Sequence, residues 1–236
     1  MKRRGTCPAS SSPARPAKDR SGSSARVKVA HFAHAPGSEC WSEPESVTHL
    51  RAKHLLAHRF RGQGYQVQLE ETHVQHGRRV DVAVAMPSGH RVAVEAQDSA
   101  IPVERAKART RLDRHRLGFL GTLWVFTDNR ARSLLAAAQP PGYDLVDIEC
   151  RVPREMLWGD NRFGQGVFVI DVDAEEVWNL RLSSAVERTG YDEDGIPHSY
   201  QPRTLKNIIS TPATFALTCR PGRYEKEWAV IFAPAE

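Results

Sequence analysis

Residues 79–97, RVDVAVAMPSGHRVAVEAQ, constrain the fold of this chain more than any other stretch. Two valine-rich runs with a period of two flank MPSGH, whose Pro, Ser and Gly favour a turn, so the segment predicts paired strands over 79–86 and 91–97. Along the first, Val80, Val82 and Val84 alternate with Asp81, Ala83 and Ala85. Along the second, Val92, Val94 and Ala96 alternate with Ala93, Glu95 and Gln97. Neither face is polar, which predicts a sheet covered on both sides. A hairpin centred on Ser88 sets Asp81 directly opposite Glu95, with Cβ atoms about 5 Å apart. Like charges facing each other on a covered ladder are unfavourable. A raised pKa on one acid relieves them, as does a divalent cation between them, for which an oxygen-rich site suits Mg²⁺ or Mn²⁺. A register slip that leaves one carboxylate in solvent, or pairing of the acids with Arg78, Arg79 or Arg91 in a purely structural module, would serve equally.

The flanking sequence supplies further candidates. A helix is expected over 43–60, with Ser42 as N-cap, Pro44 in the first turn and an apolar stripe of Val47, Leu50, Ala57 and Phe60. On it Glu45, His49 and Lys53 recur every four residues and form one polar stripe; Glu45 is also placed to close a capping box with Ser42. YQVQLEE (65–71) alternates as a half-buried strand. Residues 102–117 read as a helix that opens on Pro102 and is closed by Gly118, and TLWVFT as an apolar strand. The order is αβββαβ, with the last two strands parallel through a right-handed crossover. Residues 104–132 carry eight Lys or Arg against three acids. Arg105 and Arg109 share one helix face, and Lys107, Arg111 and Arg114 another. Such a helix suits phosphates, or equally a solvated surface. Beyond it, 138–144 reads as a linker, VFVIDV and EWAVIFA as strands, and 159–166 and 189–203 as loops, with a turn at YDEDG (191–195).

Charge is unevenly spread over the 236 residues. Residues 1–30 hold eight Lys or Arg and one acid, so the net +5 conceals a remainder with 25 basic and 27 acidic groups. The Ser/Pro/Arg-rich residues 1–26 are expected to be a disordered basic tail, 27–138 a core, and 139–236 a C-terminal α+β extension of unknown role. No run approaches the ~18 apolar residues of a membrane span, and four scattered cysteines suggest a reducing, cytoplasmic setting.

Taken in order, HFAH (31–34), Glu45-Ser46 with His49 and Lys53, RRVDV (78–82), VEAQDSAI (94–101), Arg109-Thr110 and LWVF (123–126) resemble the competence protein CoiA-like family of the PD-(D/E)XK nuclease superfamily, over roughly residues 27–130. The resemblance implies a restriction-endonuclease-like core, a mixed sheet flanked by helices. In it Asp81 and Glu95 ligate Mg²⁺ or Mn²⁺, Gln97 stands where a lysine is usual, and Glu45 completes or supports the catalytic set. His49, Lys53, Ser99, Arg105 and Arg109 become candidates for substrate contact. It further implies DNA as partner, phosphodiester hydrolysis linked to competence or recombination, and a possible homodimer. The alternative is a catalytically weak DNA-binding accessory protein, for which Gln97 leaves room. The sequence departs from the family where Leu112 and Asp113 follow Arg109-Thr110 in place of an aromatic. It also departs in having only Cys7 upstream of HFAH where a cysteine-bearing, zinc-ribbon-like segment is usual. Cys7, His31, His34 and Cys40 have irregular spacing for a tetrahedral site, so structural zinc is not expected.

Overall fold

The computed structural model describes residues 45–141, 150–163, 165–184, 188–200, 205–221 and 228–235. The chain divides into two units, Met1–Ser42 and Glu43–Glu236, and the described residues belong to the second. The basic tail, Ser42 and the group Cys7, His31, His34 and Cys40 lie outside the described residues.

The first helix begins several residues later than the sequence indicates. Helix α1 spans Val47–Gly62, and Ser46 is its N-cap, its hydroxyl accepting the His49 N–H at 2.9 Å. Ser46 is as good a cap as Ser42, and the choice follows from which residues the helix buries. Val47 and Leu50, expected in the apolar stripe, are 56% and 41% exposed, while Ala52, Leu55, Leu56, Ala57 and Phe60 are buried. Glu45 therefore precedes the cap and closes no capping box.

Strand β1 (Gln66–His73), β2 (Arg78–Ala85) and β3 (Arg91–Gln97) follow, then helix α2 (Val103–Arg116) and β4 (Gly121–Thr127), which is buried throughout. Strands β1, β2 and β3 are antiparallel neighbours, and β3 runs parallel to β4, as a helical crossover requires. Helix α3 (Asp128–Ala137), short strands β5 (Ala138–Gln139) and β6 (Cys150–Arg151) and helix α4 (Arg154–Phe163) come next. Helix α4 takes in much of the 159–166 segment expected to be a loop; its apolar Met156 and Phe163 are buried against the sheet. Strands β7 (Val167–Asp171), β8 (Glu176–Ser184), β9 (Arg188–Tyr191), β10 (Pro197–Tyr200), β11 (Leu205–Pro221) and β12 (Trp228–Pro234) complete the chain. Strands β9 and β10 pair as a separate hairpin where a loop was expected. Its tip is the expected turn, with the Asp192 carboxylate accepting the N–H groups of Asp194 and Ile196.

Among the described residues, ten strands form one mixed sheet along the path β1-β2-β3-β4-β7-β8-β11-β12, with β5 and β6 paired to β11. The sheet thus runs on past residue 138, and 139–236 contributes strands to it. Leu55, Leu56 and Phe60 of α1 cover one face with Val82, Val84, Val92, Val94, Leu123 and Val125. The other face packs Ala106 of α2, Ala131 and Leu134 of α3 and Met156 of α4 against Trp124, Phe126 and Val169. The long β11 shifts register between Ala213 and Leu217, and its second half pairs with β12. Phe232 of β12 then stacks on Phe60 at 6.0 Å and meets Phe168 edge-on at 5.3 Å. Phe232→Ala should therefore lower stability by about 3–5 kcal/mol, the usual loss for a buried phenylalanine. Urea unfolding checks this, and a change under 1 kcal/mol would show that β12 is not part of the α1 core.

Candidate active site

The hairpin register is the one the sequence implies. Val82 pairs with Val94, Ala83 with Ala93, and Val84 with Val92. One step further along lie Asp81 and Glu95, and there the ladder stops. The Ala96 N–H donates to Asp81 Oδ2 at 3.1 Å, so a carboxylate replaces the main-chain partner where β2 and β3 part. The Asp81 N–H in turn donates to Glu95 Oε1 at 3.3 Å. The contact between the two residues thus runs from the Asp81 main chain to the Glu95 carboxylate.

Their directions differ from simple alternation. Val80 was expected on the face of Val82 and Val84, yet it packs with Ala83 and Phe119. Asp81 reaches the α1 side, where His49 Nε2 lies 3.2 Å from Oδ2. The neighbouring strand is irregular at the same level. The β1–β2 pairing steps from Leu69–Val82 to Glu71–Val80, and the skipped Glu70 has φ +56°. A left-handed glutamate costs on the order of 1–3 kcal/mol and persists where its surroundings hold it. Here Lys53 Nζ donates to Glu70 Oε1, and Arg79 pairs with Glu70 Oε2 at 2.9 Å.

Two charge clusters result. In the first, Glu95, 1% exposed, takes Arg78 Nη2 at 2.7 Å on one oxygen and Arg109 Nη1 at 3.2 Å on the other. Asp113 of α2, wholly buried, binds the same Arg78 guanidinium at 2.9 and 3.0 Å and accepts the Thr122 hydroxyl at 2.9 Å. In the second, Lys53, 1% exposed, bridges Glu45 at 2.5 Å and Glu70, while Arg79 also reaches Glu45. The expected polar stripe is thus turned inward, not solvated. Gln97 donates to the Ser99 carbonyl at 2.8 Å, and Ser99 and Arg105 are exposed. Asp98 joins Ser46 of the α1 cap to Thr127, the α3 cap, the latter at 2.6 Å. The acid pairing with Arg78 considered from sequence holds for Glu95, whereas Asp81 pairs with His49.

The structure therefore assembles Asp81, Glu95, His49 and Arg109, with Lys53 and Glu45 beside them, and leaves Gln97, Ser99 and Arg105 on the rim. Sequence reasoning missed Asp98, Glu70 and the anchoring role of Asp113. The register points to Glu70, which falls opposite Asp81, and the family departure marks Asp113.

Burial, followed by the Asp81 charge, pushes the Glu95 carboxyl from 4.5 up to about 7 despite Arg78. Burial favours neutral His49, but the Asp81 carboxylate outweighs it and raises the imidazole above 6.5. Lys53 is likewise opposed by burial and raised by Glu45 and Glu70. Folding thus takes up a proton at Glu95 between pH 4.5 and about 7, so this group makes stability fall as pH rises through that window. The His49 contribution is present below pH 6.5 and is lost as pH rises through its higher folded value. In EDTA, the melting-point difference between wild type and Glu95→Gln should narrow or reverse in favour of the variant from pH 5 to 7; a difference independent of pH would refute the buried, charge-loaded Glu95.

Among the described residues no cluster of three or more His, Cys, Asp or Glu side chains forms a ready-made metal cage. The carboxylates of Asp81 and Glu95, on adjacent strands, are hard oxygen donors of the kind that could hold an ion that keeps most of its own water, as Mg²⁺ does.

An acid pair thus lies among cationic side chains, where two strands part in a helix-flanked mixed sheet. Residues 45–137 match the family model described as the nuclease-like domain of competence protein CoiA. The match takes in every residue of both clusters. No curated protein and no solved structure matches the chain. Among the described residues no helix is long and apolar enough to cross a membrane.

Proposed function

We propose that this chain is a metal-dependent nuclease of the PD-(D/E)XK type that hydrolyses phosphodiester bonds in DNA, acting in the cytoplasm in uptake or recombination of DNA. The observation that carries the reading is the placing of Asp81 and Glu95 side by side where β2 and β3 separate, the Asp81 N–H on the Glu95 carboxylate, inside the segment that matches the CoiA model. The order of α1, β1 to β3, α2 and β4 is the αβββαβ arrangement a restriction-endonuclease-like core calls for. Asp81 and Glu95 would hold Mg²⁺ or Mn²⁺, which lowers the pKa of attacking water and neutralises charge on phosphate oxygens. His49 fixes Asp81 from the α1 side. Arg109, half-buried beside Glu95, is placed to take a phosphate oxygen in a charge-assisted hydrogen bond. Gln97 supplies no charge at the position usually held by lysine; Lys53 is the nearby buried cation, held by Glu45 and Glu70.

The test is incubation of the full chain with supercoiled and linear DNA in Mg²⁺, Mn²⁺ or EDTA, with cleavage expected only with metal. One feature favours the accessory reading instead: both Glu95 oxygens are already engaged by arginines, and Gln97 is tied to Ser99. Metal-independent DNA binding with no cleavage under either cation would select that alternative.

A further inference from the structure

Two strand ladders end near the acid pair, and a carboxylate closes each. Asp81 does this between β2 and β3, and Asp98 between β3 and β4. The β3–β4 ladder runs to Gln97 and Phe126, and Asp98 and Thr127 are the next residues on each side. Ala96 lies in the core beneath α1, and continuing the alternation of β3 puts Asp98 on the same face. There its two oxygens take the hydroxyls of Thr127, at 2.6 Å, and of Ser46. Both hydroxyls are helix caps. Ser46 accepts the His49 N–H at 2.9 Å, and Thr127 the Arg130 N–H at 3.2 Å. Each hydroxyl has one proton to give, and it goes to Asp98. Thr127 is wholly buried, so its hydroxyl depends on a protein partner. The starts of α1 and α3 are thus tied to the end of β3 by one side chain. Helix α1 meets the apolar core from Ala52 to Phe60. Ahead of Ala52, its first turn meets the end of β3 through Ser46 and Asp98, and β2 through His49 Nε2 and Asp81 at 3.2 Å.

We propose that Asp98 is a positioning residue of this site: it fixes the first turn of α1 on the end of β3 and thereby holds His49 against Asp81, beside Glu95. The proposal rests on reading Asp81 and Glu95 as the catalytic pair. The bonds form one chain, from Thr127 through Asp98 and Ser46 to the His49 main chain, and from the His49 ring to Asp81. Released at Ser46, the turn keeps its packing from Ala52 onward but no longer places the imidazole on Asp81 Oδ2. A displacement of about 1 Å at a reacting group can cost roughly 100-fold in rate. Asp98→Asn keeps an acceptor for one hydroxyl and turns an amide N–H toward the other, whose proton then has no acceptor.

The experiment reads the His49 ring and the cleavage rate of the full chain. It compares wild type, Asp98→Ala, Asp98→Asn, His49→Ala and Asp98→Ala combined with His49→Ala, with melting curves confirming that each is folded. In EDTA at fixed pH, long-range proton–nitrogen NMR spectra identify His49 by the signal missing from His49→Ala. That signal should move in Asp98→Ala, and by less in Asp98→Asn. With Mg²⁺ or Mn²⁺, Asp98→Ala should lower kcat for DNA cleavage about 10- to 100-fold and leave KM within about twofold. Adding Asp98→Ala to His49→Ala should cost less than about twofold more, because the one residue acts through the other. A residue that only stabilises the fold lowers the melting point and moves neither the His49 signal nor the rate below the melt. The proposal is overturned if the His49 signal of Asp98→Ala matches wild type, if Asp98→Ala cleaves within about twofold of wild type, or if the effects of the two substitutions multiply. Where Asp98→Ala does not fold, Asp98→Asn is judged on the same outcomes. Cleavage by wild type with an unmoved His49 signal sinks the role of Asp98 alone. A moved signal with no cleavage under either cation removes the nuclease and leaves Asp98 as the residue that sets His49 on Asp81.

Discussion

Asp81→Asn should keep the fold, lose the response to Mg²⁺ or Mn²⁺, and cut DNA about 1,000-fold more slowly than wild type. The asparagine amide oxygen can still accept the Ala96 N–H that now reaches Asp81 Oδ2 at 3.1 Å, so the main-chain bond at the parting of β2 and β3 survives. Removing the Asp81 charge also relieves Glu95, whose carboxyl that charge helps to push up to about 7. Stability without metal should therefore stay within ~1 kcal/mol of wild type. What is lost is one of two anionic ligands. Metal at 100 times its Kd stabilises the native state by about 2.7 kcal/mol, equivalent to ~5–10 °C in Tm for a domain of this size. Wild type should show that shift and the variant should not. The thousandfold loss in rate corresponds to ~4 kcal/mol of transition-state stabilisation, within the several kcal/mol a metal contributes. Thermal melting in EDTA and in Mg²⁺ or Mn²⁺, alongside single-turnover cleavage, reads both quantities. If Asp81→Asn melts well below wild type in EDTA and added metal moves neither protein, the two acids are structural and the nuclease reading fails.

What made this pair visible from the chain alone is local. A period of two on each side of a short turn leaves one register, and that register sets Asp81 beside Glu95. The direction of Asp81 was not local. It goes with an irregularity on the adjacent strand, the left-handed backbone of Glu70, where alternation says only that a glutamate faces out. The start of α1 was ambiguous for a similar reason. Ser42 and Ser46 each precede a passable helix, and the decision lies with Leu55, Leu56 and Phe60 finding the sheet. The inward turn of Lys53 depends on Glu45 and Glu70 arriving from two other segments. The hairpin β9–β10 escaped because residues 191–197 are exposed, so no apolar face impresses a period on the sequence. The continuation of the sheet through β7, β8, β11 and β12 escaped because a strand motif names no neighbour. Only the two strongest apolar runs, around Val169 and Val230, announced themselves.

Asp113→Ala should be the most destabilising single change in this region, by about 3–5 kcal/mol, because it strands a buried charge. Asp113 is fully buried and holds Arg78 through both Nε and Nη2, with Thr122 closing the third bond. Without it Arg78 keeps Glu95 as its carboxylate partner, and Glu95 is the acid whose ionised form is already disfavoured by burial and by Asp81. The reverse deletion, Arg78→Met, leaves Asp113 and Glu95 without their shared cation, and should cost a similar amount. Pairing the two as Arg78→Met with Asp113→Leu removes both charges and should recover a large part of the loss, since apolar replacement of a whole buried ion pair is often neutral. Urea unfolding of the four proteins yields the coupling directly. Additive losses, with the double variant as unstable as the sum of the singles, would mean that Asp113 acts by packing α2 rather than by holding Arg78. The same series bears on the metal. Arg78→Met withdraws the positive charge closest to Glu95, so added Mg²⁺ should stabilise that variant more than wild type, provided the cation binds at Asp81 and Glu95. An equal Mg²⁺ response in the two proteins would move the ion elsewhere, leaving Arg78 as the permanent counter-charge of this site.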